Sequence, residues 1–212
     1  MDPLSQAVLG SIAAQSYSKK STLAKAAVIG GLAGVVPDLD VLISSPHDSL
    51  LALEYHRHFT HSLLFIPLGG LICALIFTLT LGSWWQLSFK QIAVWSLLGY
   101  ATHGLLDACT SYGTQLLWPF SNYRVSWNII SIIDPLYTLP LLALVIIAAV
   151  KKQHRFARAA VLWVVMYLIL GVVQHERALS LAEDLIAERG HTALAIEAKP
   201  RLSNFIVWQI IY

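Results

Sequence analysis

The sequence predicts an all-α integral membrane helical bundle of about five to six membrane helices, followed by a short polar C-terminal α/β appendage. Three observations predict it. Of the 212 residues, 57% are hydrophobic and 12% charged, where soluble domains average roughly 45–50% apolar and about 25% charged. Mean hydropathy is +0.65, which a water-soluble monomer of this size cannot hide. The Lys and Arg residues between the apolar stretches also segregate to one side of them.

Long apolar stretches fall at residues 23–43, 62–81, 92–109, 136–150 and 159–173, and these are the candidate spanning helices. An earlier uncharged stretch, 3–17, opens with Asp2 and Pro3, a favourable helix start. It is short of the roughly 20 residues a span needs and fits a short or tilted helix. Gly30, Gly31 and Gly34 give the next helix a small-residue face, expected to receive 3–17 at close range. Cys73 and Cys109 form no framework and read as free thiols.

Lys19, Lys20, Lys25, Lys90, Lys151, Lys152, Arg155 and Arg158 lie on one side of the apolar stretches, and the short loops of the other side hold Arg57 and Arg124. The positive-inside rule places the first group in the cytoplasm and the loops 44–60 and 110–128 on the outer face. After Gln174 the sequence turns amphipathic up to Arg189 and Gly190, where Gly suits a helix end. The run 204–212 reads as a strand, expected to pair with 194–198 or to belong to a larger domain. The expected organisation is therefore a bundle at 1–175 and an appendage, helix plus strand, at 176–212. The chain has no basic stripe of the kind that marks nucleic-acid binding; its expected surroundings are membrane lipids.

Ionisable groups at membrane depth cost about 2.5–3.5 kcal/mol each on insertion scales and usually mark function. Here they cluster. Asp38 and Asp40 close the first strong apolar run; His56, His58 and His61 lead into the second. His103 and Asp107, four apart on one helix face, end the third, and Asp134 opens the fourth. Every one reaches the face assigned as outer from Lys and Arg alone. Imidazoles and carboxylates converging from separate elements suit a divalent metal, Zn²⁺ before Mg²⁺ or Ca²⁺, with Mn²⁺ or Fe²⁺ open alternatives. The Asp-x-Asp pair also admits two metals. Each piece has a plainer reading: Asp38 and Asp40 as turn caps, and His103 with Asp107 as an ordinary helical pair. His56 and His61 would stand about 140° apart on a helix and need a bend to converge; His58 reads as a bystander. Arg124, in an aromatic loop, is either part of an interfacial belt or a holder of an anionic substrate group.

These residues lie in MDPLSQAVLG, GGLAGVVPDLDVL, HRHFTHSLL, GYATHGLLDACTSYGTQLLWPFS and IIDPLYTLPLL. In that order and spacing they resemble the membrane-bound metal-dependent hydrolase family of bacteria and archaea, the YdjM-like group, across nearly the whole chain. The resemblance implies Asp38, Asp40, His56, His61, His103, Asp107 and Asp134 as candidate metal residues. It also places Asp2 and Gln6 in the N-terminal motif, where many relatives carry His at Gln6. Longer relatives continue past Tyr212, which suggests a shortened appendage here. Through its ligand pattern the resemblance further implies phosphoester hydrolysis.

The leading expectation is a metal-dependent hydrolase of the cytoplasmic (inner) membrane, acting at its outer face on a phosphoester such as a lipid headgroup. Asp38, His56, His61, His103 and Asp107 would hold the metal. Asp40 or Asp134 would be the general base or would orient a ligand His, and Arg124 would neutralise the phosphate. One alternative is a metal or proton transporter, against which the nearly non-polar inner halves 72–79 and 142–149 speak. Another is a non-catalytic relative.

Overall fold

Asp2 starts the first helix as its N-cap, its carboxylate accepting from the Ser5 amide at 3.0 Å with Pro3 in the first turn. A computed structural model describes residues 1–48, 50–203 and 205–212. Helix α1 (Pro3–Ser16) and α2 (Leu23–Val35) form a hairpin, as the glycine face predicts. The approach is close: a Cβ at Gly10 would lie 2.4 Å from the Gly30 carbonyl oxygen, and one at Gly99 only 2.2 Å from the same atom. Three helices therefore meet backbone to backbone at Gly30.

Beyond α2 the chain tightens into a 3-10 turn, Val36–Leu42, that opens with Pro37 and carries Asp38 and Asp40. A short helix, α3 (Leu51–Tyr55), and two 3-10 turns, Phe59–His61 and Leu63–Phe65, lead into α4 (Ile66–Phe77). A π-turn, Thr78–Gly82, continues α4 into α5 (Ser83–Trp85). Ser88 and Gln91 form a capping box that starts α6 (Phe89–Ala108). A long irregular segment then reaches α7 (Pro135–Lys151) and α8 (His154–Glu188). The core gathers Val8, Ile12, Leu106, Ile130, Tyr137 and Leu141 where α1, α6 and α7 meet.

Among the described residues three helical segments are long and apolar enough to cross a membrane: Lys20–Leu42, Leu63–Trp85 and His154–Glu188. They match three of the five predicted stretches. Pro135–Lys151 is apolar but shorter. Helix α6 has 20 residues, but Lys90, Gln91, His103 and Asp107 dilute its apolar character. Large apolar side chains stay exposed along these helices, among them Leu68 and Leu75 on α4 and Leu162, Met166 and Ile169 on α8. Water would not tolerate so continuous an apolar surface; lipid would.

The last apolar stretch and the amphipathic stretch after Gln174 are one unbroken helix, α8, of 35 residues. The helix stops where predicted, before Gly190, whose φ of +64° lies in the left-handed region that favours glycine. The appendage ends in two short antiparallel strands, β1 (Glu197–Pro200) and β2 (Trp208–Ile211), with Ala198 opposite Ile210. Of the predicted strand 204–212, Asn204 lies outside the described residues.

Candidate metal centre

The ionisable groups singled out from the sequence collect at one end of the bundle, formed by the ends of α2 and α6 and the starts of α1, α4 and α7. The basic residues Lys19, Lys90, Lys151 and Lys152 mark the opposite helix ends. Four side chains converge closely: Asp38, His61, His103 and Asp107 each offer one ligand atom, all within 4.8 Å of one another. His61 Nε2 lies 3.5 Å from Asp38 Oδ1 and 3.2 Å from Asp107 Oδ2. His103 Nε2 lies 3.2 Å from Asp38 Oδ1 and 3.5 Å from Asp107 Oδ2, and the two Nε2 atoms are 2.9 Å apart. Bonds of about 2.0–2.2 Å in a tetrahedron place ligand atoms roughly 3.3–3.6 Å from one another, close to this spacing.

The surrounding hydrogen bonds define what these atoms present. His103 Nδ1 meets the Gly34 carbonyl oxygen at 2.6 Å. A carbonyl only accepts, so Nδ1 carries a proton, and Nε2 is the nitrogen turned toward the carboxylates and available to a metal. The Thr60 hydroxyl donates to Asp40 Oδ2 at 3.3 Å and so accepts from His61 Nδ1 at 3.0 Å, which turns His61 Nε2 toward Asp38, Asp107 and His103. Asp107 Oδ2 is buried without a hydrogen-bond partner. Two imidazole nitrogens and two carboxylate oxygens thus face one another, a donor set that suits a divalent cation. The residues fit a divalent metal.

Local backbone features make this convergence. Gly104 lets the His61 turn reach α6: a Cβ there would lie 2.2 Å from the His61 carbonyl oxygen. The bend expected between His56 and His61 occurs at Arg57, whose φ is +58°. Gln6, fully buried, donates to Asp107 Oδ1 at 2.9 Å, and the Met1 amino group meets the same oxygen. Asp2 serves α1 as its cap.

The other predicted site residues fall elsewhere. His56 stands outside the group of four; its Nδ1 bonds Asp40 Oδ1 at 3.0 Å, and with Asp38 and Asp40 it forms a second, three-residue group. Asp40 is buried and also accepts from the Arg57 amide at 2.8 Å. It binds and orients both His56 and the Thr60–His61 pair. Asp134 does not join the cluster: it caps α7 through the Tyr137 amide and accepts from Tyr167 Oη at 2.7 Å. Arg124 donates to the carbonyls of His56 and Glu54 at 3.0 and 2.8 Å, fastening the end of α3 to the irregular segment between α6 and α7. It borders an open groove of about 500 Å³ with Leu50, Leu53, Glu54 and Tyr112. His58 packs on Tyr55 and Trp118, and burial followed by the nearby Arg124 charge holds its imidazole below the ordinary value.

One residue escaped the sequence reading except as a loop charge. Arg57 is 4% exposed, lies over the Tyr112 ring at 4.7 Å and donates from Nη1 to Thr110 at 2.9 Å. Its Nε lies 3.2 Å from Asp107 Oδ2. Its place between two motif histidines was the available signal.

A family model described as YdjM inner membrane protein matches residues 1–178, which carry the whole cluster. The chain belongs to the YdjM inner membrane protein family. It is therefore an inner-membrane protein. It is 31% identical over 126 residues to the uncharacterized protein YfhP of Bacillus subtilis (strain 168), an alignment covering 59% of this chain and 37% of that one. It is 29% identical over 107 residues to the inner membrane protein YbcI of Escherichia coli (strain K12), covering 49% and 60% respectively. The chain thus spans less than two thirds of each relative. No solved structure matches it.

Proposed function

We propose that this YdjM-family protein is a membrane-bound metal-dependent hydrolase in which Asp38, His61, His103 and Asp107 hold a divalent cation, Zn²⁺ before Mn²⁺ or Fe²⁺. The observation that carries the reading is the convergence of two imidazole nitrogens with two carboxylate oxygens within 4.8 Å, one of the oxygens buried without a hydrogen-bond partner. A metal bound there would acidify a water molecule and polarise a phosphoryl oxygen. Asp40 holds His56 through Nδ1, which leaves His56 Nε2 to take the proton as water oxygen bonds to phosphorus and the ester oxygen leaves. His56 and Asp38 are the partly exposed members of the site, with side chains 24% and 20% exposed, so substrate would enter past them.

The substrate class we propose is a phosphoester of the lipid-headgroup kind. A pocket of about 200 Å³ lined by Val36, Leu39, Ile43, Phe65 and Ile72 also borders Asp40 and Thr60, so apolar and polar walls adjoin. We further propose that α6 and α7 cross the bilayer with the three longer segments, which gives five crossings. The cluster would then face outward, opposite the lysine-bearing helix ends. Elemental analysis of the detergent-purified full chain, followed by assay against a chromogenic phosphodiester with and without chelator, tests the proposal. Bound zinc or manganese with chelator-sensitive release of the chromophore supports it; metal-free protein from metal-replete cells removes its basis.

A further inference from the structure

Arg57 gives the site a property that the ligand set alone does not. Its guanidinium is a buried fixed cation whose Nε lies 3.2 Å from Asp107 Oδ2, the oxygen that also faces both imidazoles. Neither Nε nor Oδ2 has a hydrogen-bond partner. The guanidinium is held in place by Tyr112 beneath it and Thr110 at Nη1, and its backbone takes the left-handed conformation that side chains other than glycine rarely adopt. Such a placement is costly unless the charge is used.

We propose that the centre holds a single divalent cation and that Arg57 supplies a further fixed positive charge beside it, at Asp107. This rests on the metal reading above. The carboxylates of Asp38, Asp40 and Asp107 gather around His61, and among the described residues the fixed cations against them are the Arg57 guanidinium and the Met1 amino group, both at Asp107. With Arg57 alone counted, one divalent ion balances the three carboxylates; with the Met1 amino group also charged, one ion already leaves one positive charge in excess and a second would leave three in a buried site. The second three-residue group, Asp38, Asp40 and His56, is also poorly disposed toward an ion of its own. Asp40 already accepts from His56 on one oxygen and from the Arg57 amide and Thr60 on the other. With one metal and one guanidinium, the site remains attractive to an incoming phosphate group, which two fixed positive centres can neutralise between them.

The charge argument fixes the sign of the test. A residue that merely supports the fold would weaken metal binding when replaced. A cation that shares Asp107 with the metal repels it, so its removal strengthens metal binding while weakening the hold on anions. The experiment titrates Zn²⁺ and Mn²⁺ into the metal-stripped full chain in detergent by calorimetry, then inorganic phosphate into the metal-loaded protein. Wild-type protein is expected to take up about one equivalent of metal. Arg57→Met is expected to bind metal about tenfold more tightly and phosphate about tenfold more weakly, whereas the charge-retaining Arg57→Lys stays within about threefold of wild type on both. Two equivalents in the wild type overturn the single-metal proposal and leave the metal centre standing, whereas no bound metal removes the metal centre itself. Weaker metal binding by Arg57→Met, or a shift in Arg57→Lys as large as in Arg57→Met, overturns the charge role. If Arg57→Met does not fold, the wild-type stoichiometry and the Arg57→Lys titration still decide.

Discussion

Asp107 and Asp134 are both buried acids at the same end of the bundle, yet their surroundings are opposite. Asp134 sits at the N-terminus of α7, where helix dipole and unpaired amides favour a carboxylate, and both of its oxygens accept hydrogen bonds, from the Tyr137 amide and from Tyr167 Oη. Asp107 sits in the last turn of α6, the end that disfavours negative charge. Gln6 and the Met1 amino group serve one of its oxygens, and the other faces Arg57, His61 and His103 with no hydrogen bond at all. A buried acid that the fold satisfies is part of the fold. One placed at the wrong helix end, with an oxygen that has charged and imidazole neighbours but no hydrogen bond, is the kind that marks a functional site.

That contrast breaks most directly at the Asp107 cluster. His103→Ala removes a proposed ligand whose ring is held by Gly34, and it is expected to lower zinc affinity by at least about 100-fold, read by titration against a chelating dye. Affinity close to wild type would mean that metal, if bound, is held elsewhere. Gly104→Ala tests the same cluster through the backbone. The new Cβ would meet the His61 carbonyl oxygen at 2.2 Å, and since both partners are main chain, one must move. We expect a stability loss of about 1–3 kcal/mol in a detergent melt, together with at least about tenfold weaker metal binding as His61 is pushed from α6.

The composition of the cluster was legible in the sequence because His and Asp stand out against apolar helices, and the helix ends fix where they must lie. How they are grouped was not. His56 and His61 are placed by a left-handed bend at Arg57, a residue type with no turn preference to announce it, so the sequence does not disclose that His56 engages Asp40 and stands apart from the group of four. Asp134 had a readable signal that points the other way: Asp followed by Pro before an apolar run is a helix start, and its side chain caps α7. Hydropathy also divides α8 near Gln174, where the helix does not break, because a window reports loss of apolar character and not loss of hydrogen bonds. The helix ends only at Gly190, where the backbone changes. Close approaches such as Gly104 against His61 depend on which helices meet, and one chain's residue order does not disclose that.

The Asp134 side of the comparison gives a smaller effect of the opposite kind. Asp134→Ala removes the α7 cap and leaves Tyr167 Oη without its acceptor. The expected cost is about 1–3 kcal/mol in a detergent melt, with metal stoichiometry and affinity unchanged. Loss of metal at unchanged stability would place Asp134 in the site after all and erase the distinction.

The smallest expected effect isolates orientation from ligation. Thr60 is not a ligand, but its hydroxyl accepts from His61 Nδ1 while donating to Asp40, and so fixes which nitrogen of His61 faces the cluster. Thr60→Val keeps the shape of the side chain and leaves the Thr60 carbonyl, which accepts from Tyr100 Oη at 2.8 Å, untouched. The fold should therefore persist. Without the hydroxyl, His61 Nδ1 is left with Asp40 Oδ2 at 3.4 Å, too long and too loosely placed to hold the ring as firmly. Metal affinity should fall by about tenfold with the melting temperature little changed. An unchanged affinity would show that Asp40 alone orients His61. In that case the hydroxyl is dispensable, and the imidazole orientations of the cluster are set by Asp40 and Gly34.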